Sequence, residues 1–327
     1  MLKITHSLIL DTVCMLETRD TIREDRYYPD EFLRLHSEIA EKFSACLPNW
    51  CYGMSSFSYL LSVWAAETGE SLETMSLSRL ADVIGDADTF DSVVRPAIDN
   101  EFLQSYFWPI LDSCHQSKHE EYVNAIRALA DAGYEDWYRE NVMPCVTEFE
   151  EKLRAHYADD NVDEVLSHVT RMKCREVEDI TIMVSLFSYP VSFTLQGGFL
   201  NTLAISQSRP RPSWLIAHEC MHGFASAETT ELYRKYVECD DERRELHRIL
   251  IEELHSGDEE EMVMAAEHYI MVLTGSDPDT EREIAENWYG GCTPNSVVFF
   301  DLLLKEPEPV TDYDAWMKKT LTELIGR

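Results

Sequence analysis

Leu215-Ile216-Ala217-His218-Glu219-Cys220-Met221-His222-Gly223-Phe224, LIAHECMHGF, sets two histidines and a glutamate inside an otherwise apolar run. The other residues from Trp214 to Ala225 are uncharged, the composition of a buried helix. Burying three titratable side chains is costly unless each meets a partner or a ligand. Just upstream, Pro210 and Pro212 break the chain and Ser213 is placed to cap, so the stretch reads as the start of a helix.

Around it the chain has 327 residues, enough for one large domain or two closely packed ones. With 45% hydrophobic and 11% aromatic residues it is globular. A net charge of −33 repels phosphate backbones and anionic lipid, which argues against nucleic-acid and membrane partners. The N-terminal MLKITHSLILDTVCMLETRD carries His6 and Asp11 within its apolar part and lacks a small-residue cleavage site, so it does not read as a signal peptide. No run of about 18 uncharged apolar residues predicts a membrane span. The 9 Cys are odd in number and form no CxxC pair, the pattern of reduced thiols in a cytoplasmic protein.

The expected fold class is α+β, predominantly helical. Asp30–Cys46, Ser76–Ile84 and Tyr122–Leu153 space apolar residues at three and four, so residues 1–175 form a large helical N-terminal region. Near Asp179 the texture changes. DITIMVSLFSYPVSF is rich in β-branched and aromatic residues, and FLNTLAIS follows Gly197-Gly198, which predicts two strands. The stretch from Gly197 to Ser206 is either an edge strand along which an extended peptide lies or an interior strand. After the helix at 213, Asp240–Leu254, Asp258–Thr274 and Tyr313–Ile325 read as helices. Residues 176–327 therefore form a second region, a small sheet with the helix of LIAHECMHGF.

On an α-helix, positions i and i+4 are about 6 Å apart on one face, so His218 and His222 can aim both imidazoles at one metal ion. Glu219 lies beside them, able to reach a metal-bound water without being a ligand, the general-base position of HExxH. Zn2+ suits two neutral imidazoles and a carboxylate that leave a fourth position open. The continuation HExxHxxGxxH is excluded, because Ala225 and Glu228 stand where it needs a glycine and a histidine. The third ligand is then sought in DEEEMVMAAEHYIMVLT. Its apolar stripe is centred near Met262, Ala266, Tyr269, Ile270 and Leu273, with Glu260 and Glu267 on one shoulder and Glu261 toward solvent. Spacing alone leaves Glu260 and Glu267 equal. Asp240-Asp241-Glu242 and Asp258–Glu261 otherwise read as solvated helix starts, and Cys220 as core packing.

The HExxH helix followed by a Glu-bearing helix resembles the gluzincin metallopeptidases. More closely, the chain is similar to a bacterial family of uncharacterised gluzincin-like proteins, with a helical N-terminal half and a strand before the zinc helix. In that family the ligand Glu is followed at the third and fifth positions by Val and Ala, a pattern matched by Glu260, Val263 and Ala265. The chain departs from it at Met264, where an Arg is usual, and at Ala225-Ser226, where Asn-Pro is usual. The resemblance implies a zincin-like catalytic core over 176–327, with zinc held by His218, His222 and Glu260. It implies a peptidase acting on a peptide or protein substrate, with Glu219 as general base. Gluzincins often place a Tyr or His after the third ligand as oxyanion donor, and Tyr289 in NWYGG is the candidate, with His268 and Tyr269 behind it. The other expectation keeps the zinc site in a regulatory or partner-binding protein with little or no peptidase activity.

Overall fold

A computed structural model describes residues 2–18, 30–53, 56–99, 101–177, 179–188, 192–202, 209–252 and 256–326. The chain is α+β and predominantly helical, with a small mixed sheet. It divides into two compact units, each built from two stretches of chain: residues 1–158 with 179–210, and residues 159–178 with 211–327. Among the described residues no helix is long and apolar enough to cross a membrane.

The first unit holds β1 (Leu2–His6), α1 (Leu8–Thr18), α2 (Asp30–Lys42), α3 (Ser56–Thr68), α4 (Leu77–Gly85), α5 (Ala87–Ala97), α6 (Glu101–Ser113), α7 (Ser117–Asp131), α8 (Tyr134–Asn141) and α9 (Met143–Ala158). It also holds β2 (Ile180–Val184), β3 (Phe193–Leu195) and β4 (Gly198–Asn201). The helix expected over Tyr122–Leu153 is cut into α7, α8 and α9. Gly133, at φ 77°, turns the chain between the first two, and Pro144 sits in the first turn of α9, where its missing N–H has no helical partner to lose.

The sheet order is β1-β2-β4-β3, with β1, β2 and β4 parallel and β3 antiparallel to β4. Ile182 lies between Ile4 and Phe199 in the register. β4 is thus interior, not an edge, and residues 203–206 of the expected strand lie outside the described residues. The strand expected over 179–193 stops at Val184, and β3 begins only at Phe193, because β2 ends on a buried carboxylate. Asp11 Oδ1 accepts from Ser185 Oγ (2.5 Å), Leu186 N (2.9 Å) and Phe187 N (3.2 Å), and Oδ2 accepts from Tyr138 Oη (2.7 Å). Burial pushes the Asp11 carboxyl upward, and these bonds partly offset it.

This pairing also moves the boundary expected at 175/176. β2 and β4 hydrogen-bond to each other and β2 to the N-terminal β1, so the strands group with the first unit and not with the HExxH helix. β1 itself, LKITH, is too short to stand out from the helical text around it.

The second unit holds α10 (Val162–Lys173), α11 (Ser213–Met221), α12 (Ala227–Glu238), α13 (Asp241–Glu252), α14 (Glu260–Leu273), α15 (Pro278–Asn287), α16 (Pro294–Leu303) and α17 (Tyr313–Ile325). α14 packs on α10, α11, α15 and α16, and is buried continuously from Glu260 to Met271. Ser213 does not cap α11 as expected. Instead the Asp160 carboxylate accepts from Ser213 N (2.8 Å) and from Arg211 Nη2 (2.9 Å), and Arg211 Nη1 donates to Thr274 O at the end of α14 (3.1 Å).

Two outcomes follow for the first unit. A Cβ at Gly198 would meet Thr181 O at 1.9 Å. Gly198→Ala is therefore expected to lose roughly 3 kcal/mol, read as a lower urea midpoint, and an unchanged midpoint would show that β4 does not pass so close to β2. His36 packs edge-on against Phe187 at 4.6 Å, and burial pushes its imidazole down to about 4. The unfolded chain then takes up a proton between pH 6.5 and 4 that the folded chain does not, so stability falls across that window as pH falls. In His36→Phe the fall should be shallower by up to roughly 3 kcal/mol; identical pH profiles for the two proteins would refute the effect.

Candidate metal centre

α11 starts on the Asp160 anchor and carries His218 and Glu219 inward, both buried. The helix stops at Met221. His222 follows at φ −51°, ψ 142°, and Gly223, at φ 72°, turns the chain away. His222 therefore lies just past the regular helix in which the i, i+4 reading placed it. The two rings still meet, with Nε2 to Nε2 at 3.3 Å.

α14 lies against α11 and brings Glu260 to both rings. Glu260 Oε1 is 3.6 Å from His218 Nε2, and Oε2 is 3.8 Å from His222 Nε2. One donor atom from each of the three residues lies within 4.8 Å of the other two, close enough to face a single ion. Among the described residues this is the one set of three His, Cys, Asp or Glu side chains that could hold a metal ion.

The outer nitrogens explain why the inner ones are available. His218 Nδ1 donates to Glu267 Oε2 (3.0 Å) and His222 Nδ1 donates to Glu259 Oε1 (3.1 Å). A carboxylate at each Nδ1 keeps the proton there and turns the Nε2 lone pair toward the cluster. Glu259 Oε1 also accepts from Gly223 N (2.8 Å), which ties the turn after His222 to the same oxygen. Burial opposes charge on His218, but Glu260, Glu267 and Glu219 push its imidazole up to about 9. His222 is raised too, its burial outweighed mainly by the bond to Glu259. Both upward shifts come from the carboxylates around the rings, and an ion at the two Nε2 atoms would take the place of the proton that those carboxylates favour.

Glu260 and Glu267, equal by spacing, are separated by the structure. Glu260 faces both Nε2 atoms, while Glu267 stands behind His218. Asp258–Glu261 are not a solvated helix start. Asp258 pairs with Arg234 and, at 3.1 Å, with His247. Glu261, expected to face solvent, is 1% exposed and accepts from Asn295 N (2.9 Å), Asn295 Nδ2 (2.8 Å) and Tyr233 Oη. Helices on several sides of α14 remove the solvent face that a single apolar stripe predicted. Glu259 was missed by sequence reasoning. Its signal was Gly223, a helix-ending residue that puts His222 at a C-cap in need of an outside partner.

Tyr289 comes from the loop after α15, where Tyr289, Gly290 and Gly291 have φ of 48°, 66° and 83°. A left-handed tyrosine is uncommon and strained. Its hydroxyl donates to Glu260 Oε1 at 3.4 Å, and Glu260 with burial pushes its pKa upward, so it stays protonated. Glu219 acts electrostatically on both His218 and Tyr289. Trp214 packs edge-on against His218 (6.3 Å) and Trp288 (5.4 Å). His268 is committed elsewhere, to Glu281 at 2.8 Å, and Tyr269 bonds to the Val310 backbone. Burial pushes the Cys220 thiol up to about 12, which removes it as a nucleophile.

The chain matches no protein-family model, no curated protein and no solved structure with which it was compared.

The geometry separates two variants that spacing could not. Glu260→Ala is expected to abolish metal uptake, whereas Glu267→Ala keeps the metal and weakens it about 10–100-fold. Metal analysis with chelator competition reads both, and the reverse order of effects would exchange the two roles.

Proposed function

We propose that this protein is a zinc-dependent metallopeptidase of the gluzincin type, with its metal centre in the helical second unit. The observation that carries the reading is the convergence of His218 Nε2, His222 Nε2 and the Glu260 carboxylate, with Glu219 and the Tyr289 hydroxyl beside them.

His218, His222 and Glu260 would hold the ion. When bound there, zinc supplies a Lewis acid that lowers the pKa of its water to about 7. Glu219 takes a proton from the attacking water as the oxygen adds to the carbonyl carbon of a peptide bond. It then delivers that proton to the leaving nitrogen as the C–N bond breaks. Tyr289, kept protonated, donates a hydrogen bond to the oxyanion that develops on the carbonyl oxygen. Before substrate arrives the same hydroxyl rests on Glu260. Glu259 and Glu267 hold the two rings still, so little reorganisation accompanies the reaction.

The test is Glu219→Gln, which keeps the shape and removes the base. It should retain about one zinc per chain by elemental analysis and lose about 10²- to 10⁴-fold in cleavage of a quenched-fluorescence peptide pool. A variant that cleaves as fast as the parent would remove Glu219 from the mechanism. A parent that holds zinc but cleaves nothing would favour the alternative, a zinc-binding regulatory or partner-binding protein.

A further inference from the structure

Because α11 stops at Met221, the backbone of His222 lies outside the regular helix. A ligand inside a helix is held by the i→i−4 ladder, whereas one just beyond the end depends on whatever satisfies the orphan carbonyls there. Those carbonyls carry the negative end of the helix dipole. Here two of them, Cys220 O and His222 O, accept from a single group, Lys173 Nζ, at 2.8 and 2.7 Å.

Lys173 is the last residue of α10, which packs along α11. Cys174 follows it at φ 50°, a left-handed conformation that stops α10 where the lysine side chain leaves it. On the other side of His222, Glu259 holds both the ring Nδ1 and the next amide, Gly223 N. Lys173 and Glu259 are also within electrostatic reach of each other. The second imidazole is thus gripped at three points: its own carbonyl, its ring and the amide that follows.

We propose that Lys173 is a positioning residue for the metal centre, tying the Cys220 and His222 carbonyls together so that His222, though past the end of α11, keeps its Nε2 directed at the cluster. The assignment rests on the metal-binding reading of His218, His222 and Glu260. It does not depend on peptidase activity. Ligand geometry has to be kept within about 0.5 Å for full affinity, so releasing the backbone of one ligand reads out directly as metal binding.

The experiment uses the full chain and Co2+, with affinity measured by chelator competition and ligand geometry by the visible absorption of the bound ion. Lys173→Met is expected to bind Co2+ about 10–100-fold more weakly and with an altered spectrum. Lys173→Arg, which keeps a cationic donor, should return both toward the parent. Lys235→Met, which removes an exposed lysine paired with Glu231, should change neither. The unfolding midpoint of each metal-free protein is measured alongside. If Lys173→Met lowers that midpoint but leaves affinity and spectrum as in the parent, the lysine is structural only and the assignment is overturned. Should the Met variant fail to fold, Lys173→Gln is read in the same way. A parent that takes up no Co2+ or Zn2+ would instead refute the metal centre, and this assignment with it.

Discussion

Buried charge has to be paired, and the second unit is organised around that requirement at the start of α14. Asp258 and Glu259 lie in the turn that leads into α14, and Glu260 and Glu261, its first two residues, point about 100° apart. Each side chain therefore meets a different partner: Arg234 and His247, then His222 and Gly223, then the two Nε2 atoms and Tyr289, then Asn295 and Tyr233. The N-terminal turn of a helix tolerates such a run because its free N–H groups and dipole favour negative charge. One short stretch thus gathers α11, α12, α13, α16 and the loop at 288–291 around a single point.

The first unit contains a buried carboxylate with a different outcome. Asp11 accepts from two backbone amides, a serine and a tyrosine, all neutral. Its donors use up its oxygens and end a strand. Around His218 and His222 the donors are titratable, the inner nitrogens are left facing one another, and the surrounding carboxylates leave negative charge in excess. The same cost of burial is met in one unit by ordinary hydrogen bonds and in the other by a site suited to a cation.

Much of the site was readable in the chain because it depends on local spacing. His218, Glu219 and His222 are a turn apart, and the apolar text around them already implies burial. The helices from Asp30, Ser76, Asp240, Asp258 and Tyr313 follow from period and caps. What spacing could not separate was Glu260 from Glu267, since residues seven apart lie on nearly the same line of a helix. Nor could it reveal Lys173 or Glu259, because a lysine at one helix end and a glutamate in an acid run look like ordinary solvated charges until the helices that cover them are in place.

The sequence by itself determined that this is a largely helical chain with a few strands and that two histidines and a glutamate lie close together in an apolar stretch. Periodicity, capping residues and the cost of burying charge act over a few residues and need no knowledge of the rest. Tertiary structure alone decided which distant groups meet: β1 with β2, Asp160 with Ser213, Glu267 behind His218, Glu260 in front of it and Lys173 under His222. Those pairings span about 40 to 180 residues. Such contacts follow from how whole faces pack against one another, which no local pattern encodes.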